Sequence, residues 1–367
     1  MKKRTSKSPK KARKQSETGP GKPRGAAARL ALKVQIESLL RLYTSRSFED
    51  AEALAVMLTT THPTEPIAWK VLAAIYGQTG RLSESLHAGR TLVALVPDDA
   101  EAHNNLGGAL QRAGNLKEAL GSFQRAASID PKLAVAHFNA GTVLMGLEEF
   151  SDAEACLRRA VALQPSFVEG YNHYGLVLKN LGRFDDAELC LRRGLTLKPD
   201  DLEILGNLGA TLHAAGRLCE AERLLLRAIS LHENSAELRV NLGSVLLSQL
   251  RTQEAADNLA LATSLSPGLV RAQATLGVAL YRLGHFDEAE VCYREALGID
   301  PSDAETLRNL GLTLQELHRP HDAIQSYQRS LDLGLSDADA PAVRAQLIHQ
   351  RCHICDFSVS DGLSAIA

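Results

Sequence analysis

The amino-acid sequence predicts an all-α protein, a right-handed α-solenoid of nine in-phase helical hairpins running from about residue 32 to 337. Internal repetition is the main reason. Ala119, Ala153, Ala187, Ala221, Ala255, Ala289 and Ala323 follow one another at steps of 34 residues. Gly107, Gly141, Gly175, Gly209, Gly243, Gly277 and Gly311 keep the same step. So do Pro63, Pro97, Pro131, Pro165 and Pro199, with Pro267 and Pro301 resuming after one gap. A period of this size without insertions marks units that cannot bury their apolar face alone and must stack. Composition points the same way. Aromatic residues make up 4% of the chain against 45% hydrophobic, with abundant Ala, Leu and Gly, which suits close-packed helices and suits β-sandwiches badly.

Each repeat is counted from Pro66, Ala100, Ala134, Val168, Leu202, Ala236, Val270 or Ala304, which puts the glycine at position 8, the alanine at 20 and the proline at 32. Positions 8 and 20 are expected where the two helices of a hairpin, A and B, cross, because a larger side chain would wedge them apart. Proline at 32 cannot continue helix B and ends it before the next repeat. Leu106, Leu208, Leu242, Leu276 and Leu310 at position 7 supply the apolar stripe of helix A, spaced to pack on helix B and on the following repeat.

Taken in order, residues 1–28 form a basic tail. Residues 1–24 hold ten Lys/Arg against the single acid Glu17, with too few apolar residues for a fold or a signal peptide, so the tail is expected to be disordered. Residues 29–65 keep Ala51 and Pro63 but have Leu39 at position 8, and read as a degenerate N-terminal repeat that caps the stack. Residues 66–337 are eight repeats, with Glu233 and Leu335 standing where two of the prolines would be. Residues 338–367 hold a capping helix, Pro341 to Ile354, with Val343, Leu347 and Ile348 on one face. The last ten residues, SVSDGLSAIA, read as a junction cut from a longer frame.

The charge balance bounds the partners. Beyond residue 24 there are 31 basic and 42 acidic groups, so no nucleic acid is expected on the folded body, where phosphate contacts would need clustered positive charge. No run of about 18 apolar residues exists, which argues against a spanning helix, and a cytoplasmic location is expected. Cys156, Cys190, Cys219 and Cys292 are scattered through the repeats as small buried side chains of a reducing compartment. No phosphate-cradling loop, HExxH or nucleophile elbow is present, so no catalytic residue, cofactor or metal is assigned. Cys352-His353-Ile354-Cys355 offers two thiolates without a second pair to close a zinc site.

The pattern Trp69-x-x-Leu72-Ala73-x-x-Tyr76, with Ala119-x-x-x-Phe123 before Pro131, resembles the tetratricopeptide repeat over residues 32–337. The resemblance implies a superhelix whose A helices line a concave wall and bind protein partners. Position 6 of helix A carries Asn105, Asn139, His173, Asn207, Asn241, Thr275 and Asn309, one per repeat. A side-chain amide offers both donors and acceptors, so a ladder of them can hold an extended peptide by its backbone. Bonding within the array is the alternative use. Nearby wall positions Asn172, Lys179, Asn180, His213, Ser244, Arg282 and Gln315 have no dominant sign. A carboxylate clamp of the chaperone-adaptor type is disfavoured, because position 9 holds Ala74, Gly108, Thr142 and Leu176.

The ladder, together with the junction Gln346-Leu347-Ile348-His349-Gln350-x-Cys352-His353-Ile354-Cys355-Asp356-Phe357, resembles O-linked N-acetylglucosamine transferases of bacterial type. That resemblance implies a superhelix threading an acceptor polypeptide towards a following glycosyltransferase domain, with Asn105, Asn139, Asn207, Asn241 and Asn309 gripping it. Similar arrays precede sulfotransferase and oxygenase domains. A free-standing scaffold is the other reading.

Overall fold

A computed structural model describes residues 23–335 and 339–353, which form nineteen α-helices and no strand. The chain divides into two compact units at residues 131/132. The first unit holds the hairpins α1 (Pro23–Thr44) with α2 (Phe48–Thr61), α3 (Pro66–Gln78) with α4 (Leu82–Leu95), and α5 (Ala100–Arg112) with α6 (Leu116–Ile129). The second holds α7 (Ala134–Gly146) with α8 (Phe150–Leu163), α9 (Val168–Asn180) with α10 (Phe184–Leu197), and α11 (Leu202–Ala214) with α12 (Leu218–Leu231). It continues with α13 (Ala236–Ser248) and α14 (Thr252–Leu265), α15 (Val270–Leu283) and α16 (Phe286–Ile299), α17 (Ala304–Glu316) and α18 (Pro320–Asp332), and finally α19 (Ala340–His353). Helix packs on the next helix throughout each unit, the arrangement of an α-solenoid.

Two boundaries differ from the sequence expectation. Helix α1 begins at Pro23, inside the stretch 1–28 expected to be disordered; proline suits a first turn and the alanines after it favour helix. Residues 1–22 lie outside the described residues. The last helix runs Ala340–His353, with Val343 buried and Leu347 packed beside it against the α17 and α18 core. Ile354, Cys355 and the junction after them lie outside the described residues.

The seam inside each hairpin is made as the repeat requires. A Cβ placed on Gly209 would lie 2.6 Å from the Leu225 side chain, and one on Gly277 2.6 Å from the Tyr293 ring. The alanines of position 20 are fully buried from Ala51 to Ala323. In the repeat that begins at Pro66, position 20 is Ser85 instead, and its hydroxyl donates 2.9 Å to the carbonyl of Ala73 at position 8. Leu39, which replaces the glycine in the first hairpin, is itself fully buried. One cysteine departs from expectation: Cys219, near the start of α12, is exposed, whereas Cys292 is buried.

A second seam joins neighbouring repeats. Within the second unit successive A helices pack more closely on one another than successive B helices do, so the A helices line the inner side. The B helices are tied instead by arginines at position 16, just before each helix B. Arg81 reaches back to Glu52 at 2.6 Å, Arg183 to Glu154 at 2.8 Å, Arg251 to Glu222 at 2.5 Å and Arg319 to Glu290 at 2.8 Å, while Arg217 pairs with Glu188. Each of these arginines also binds an acid three residues on, such as Glu84 or Glu220.

Candidate functional site

The inner wall of the second unit is built by α7, α9, α11, α13, α15 and α17, and position 6 of each helix faces it from one turn into the helix. Asn139, His173, Asn207, Asn241, Thr275 and Asn309 are half-buried there. Asn105, on α5 of the first unit, is exposed. The structure brings only some of these side chains into a shared network. Asn207 Nδ2 donates to Asn172 Oδ1 at 2.8 Å, one position earlier in the preceding repeat. In the same register Asn241 Nδ2 donates to the Gly206 carbonyl at 3.1 Å, and Asn241 Oδ1 accepts from Arg271 Nη2 at 2.8 Å. Thr275 turns back on its own helix, donating 2.6 Å to the Arg271 carbonyl. His173 Nδ1 lies 3.0 Å from the Glu169 carbonyl, with its ring edge-on to Phe138, which in turn packs on Phe167.

Two adjoining depressions open on this wall. The larger, about 530 Å³, is lined by Lys179, Gly206, Asn207, Glu237, Asn241 and Arg271 among others. The smaller, about 380 Å³, is lined by Arg271, Thr275, Asp303, Glu305 and Asn309. Arg271 belongs to both, so the wall offers a continuous run from Lys179 to Asn309.

The electrostatics are mixed, as the sequence indicated. Arg271 pairs with Glu237 at 2.8 Å, and Lys198 with Asp201 at 2.8 Å at the edge. The Lys179 amine has no acidic partner among the described residues; burial first, and then the nearby Arg271 charge, lower its pKa from the usual lysine value. Burial likewise lowers the pKa of His213, whose Nε2 sits 2.7 Å from Ser248 Oγ in the next repeat. Arg282 donates 3.0 Å to the Leu247 carbonyl of the preceding repeat, and Gln315 accepts from the Tyr327 hydroxyl at 3.4 Å, so both serve the scaffold. Ser244 bonds its own helix and Asn180 is exposed.

Sequence reasoning missed Arg271 and Glu237. Both stand at position 2, and Arg271 reaches back about one repeat to Glu237 and Asn241 together. Only the stacking of repeats places them together.

Helix pairs in 34-residue register, with a small residue at each crossing and a polar inner wall, define a tetratricopeptide-repeat protein, and a model of that repeat matches residues 270–303. Residues 26–275 match the family described as the C-terminal domain of cilia and flagella-associated protein 70, and the chain belongs to that family. No curated protein sequence matches the chain. Among solved structures it is similar to a tetratricopeptide repeat protein from Parabacteroides merdae, 17% identical, covering 67% of this chain and 98% of that one, with a TM-score of 0.61. It is also similar to a chain of the APC/C hetero-tetramer Cut9-Hcn1, 17% identical, covering 82% of this chain and 59% of that one, TM-score 0.57. PilW, a type IV pilus biogenesis factor, is 22% identical and covers 56% of this chain and 96% of its own, TM-score 0.50. At these identities the likenesses establish the fold alone. The transferase resemblance rests on the sequence only.

Proposed function

We propose that this protein binds extended polypeptides along the inner wall of its second unit, gripping the ligand backbone with the position-6 side chains. The observation that carries the reading is the pair Asn207 and Asn241 on the wall of the larger depression. Each spends one amide N–H on the preceding repeat, and Asn241 spends one lone pair on Arg271. An amide has two N–H donors and two lone pairs, so both keep capacity for a ligand. The internal bonds hold the amides still, which lowers the entropy lost on binding. The two uses of the ladder are thereby compatible. Asn139, His173, Thr275 and Asn309 extend the same row, and Asn105 holds the equivalent repeat position within the first unit.

The test is simultaneous Ala substitution of Asn105, Asn139, Asn207, Asn241 and Asn309, followed by capture of a reduced, carboxymethylated unfolded protein. Helical content should stay near normal while capture drops by about tenfold or more, several backbone hydrogen bonds being lost at about 0.5–1.5 kcal/mol each. Undiminished capture would remove the ladder from the function.

A finer reading is that the client is the acceptor of an O-linked N-acetylglucosamine transferase-like enzyme. The amide row and the sequence Gln346 to Phe357 support it, and a glycosyltransferase domain encoded in frame after Ala367 would check it. A scaffold that joins two partners is the competing use of the same groove, and a downstream domain of another chemistry would point to the arm of a different transferase or an oxygenase.

A further inference from the structure

We propose that the outer face of α8, α10 and α12 is a second docking surface, one that takes an acidic amphipathic helix of a partner protein. It lies on the B helices and does not depend on the groove. Positions 22, 25 and 26 of a repeat are spaced i, i+3, i+4 and so share one helix face. In three consecutive repeats they read Ala155, Arg158, Arg159; Leu189, Arg192, Arg193; and Arg223, Leu226, Arg227. All six arginines are exposed, and the two leucines are 71% and 49% exposed. No acid occurs among the nine.

The three helix faces adjoin, because Arg183 ties the start of α10 to Glu154 on α8 and Arg217 ties the start of α12 to Glu188 on α10. Within the patch Arg192 pairs with Glu188 at 2.6 Å, and that carboxylate is already shared with Arg217. The patch is bounded. In the next three repeats the same positions hold Asp257, Ala260 and Leu261; Val291, Arg294 and Glu295; Gln325, Gln328 and Arg329. There Arg294 pairs with Glu290 at 2.7 Å and Arg329 donates to the Pro301 carbonyl. Six arginines gathered on one face of a body with 31 basic and 42 acidic groups run against the average charge of the molecule.

The chemistry selects the occupant. Guanidinium groups bind carboxylates in bidentate fashion, and arginine is enriched among protein-interface hot spots. Leu189 and Leu226 offer contact to an apolar ridge, which a bare polyphosphate does not have. The nine positions carry no aromatic residue on which bases could stack. They also lack the Trp or Phe that anchors interfacial membrane helices. A helix with leucines spaced three and four apart and glutamates on either side meets both the leucines and the arginine rows.

The experiment uses the full chain and a fluorescent peptide of that design. We expect binding that weakens as salt rises. The triple variant Arg158→Glu, Arg193→Glu, Arg227→Glu should bind at least about tenfold more weakly, and Leu189→Ser with Leu226→Ser a few-fold more weakly. Circular dichroism and melting should be unchanged, since every substituted residue is exposed. Asn207→Ala with Asn241→Ala, in the groove, should bind the peptide normally. The proposal is overturned if the peptide does not bind, if charge reversal leaves binding intact, or if the groove variant loses binding equally. Tighter binding of phosphatidylserine vesicles or of a single-stranded oligonucleotide than of the peptide overturns it as well.

Discussion

The seam inside a hairpin and the seam between hairpins obey different rules. Inside, every repeat from Ala100 onward repeats the same solution, glycine at 8 under a large residue at 24 and alanine at 20, with Phe123, Leu157 or Tyr327 exchanging freely in the large place. Between repeats the arginine of position 16 meets a glutamate of position 21 at five junctions. At the other three, position 21 holds Leu86, Leu120 or Ala256, and position 16 of the next repeat holds Asn115, Glu149 or His285. Acid and arginine are present together or absent together. A hairpin's core is thus compulsory, whereas its coupling to the next is a separate setting that varies along the stack.

The sharpest way to break this contrast is to overfill an inner seam. Gly209→Leu should destabilise by about 1–3 kcal/mol in urea unfolding, because even the Cβ would lie 2.6 Å from Leu225. A loss no larger than that of an exposed substitution would mean the seam is slack. Next in size is a gain. Leu250 occupies the turn between α13 and α14 with φ 63°, a conformation that Gly216 and Gly284 hold in neighbouring repeats. Its side chain is 82% exposed, so Leu250→Gly removes the strain and little packing, and should raise stability by about 1 kcal/mol. A drop in melting temperature would show that the leucine has a packing role there. The smallest effect is expected at a junction: a double-mutant cycle on Arg217→Ala and Glu188→Ala should give a favourable coupling that shrinks with added salt. Zero coupling at low salt would reduce the matched pairs to decoration.

Much of this was legible before any coordinates. Seven glycines and seven alanines in step located both helices of each hairpin, and Leu106, Leu208, Leu242, Leu276 and Leu310 are buried as their position required. The matched pairs were legible in principle, being residues 29 apart, but an acid and an arginine on helix surfaces look like ordinary solvated charge until the stack is known. The arginine face was hidden by arithmetic: a net charge sums over the whole body and erases clustering. For the inner wall the sequence could name the amides but could not decide their bonds, and the structure commits Asn207 and Asn241 partly to the preceding repeat.

By itself, then, the sequence determined the helices, their pairing and the residues at each crossing, because these follow from periodicity and side-chain size, which act over a few turns of chain. Tertiary structure alone decided which side chains meet across repeats. It set Arg271 against Asn241, left Lys179 without an acid among the described residues, and gathered six arginines on one outer face. Those outcomes depend on how hairpins about 34 residues apart are stacked, since electrostatic and hydrogen-bonding partners are chosen by distance in space.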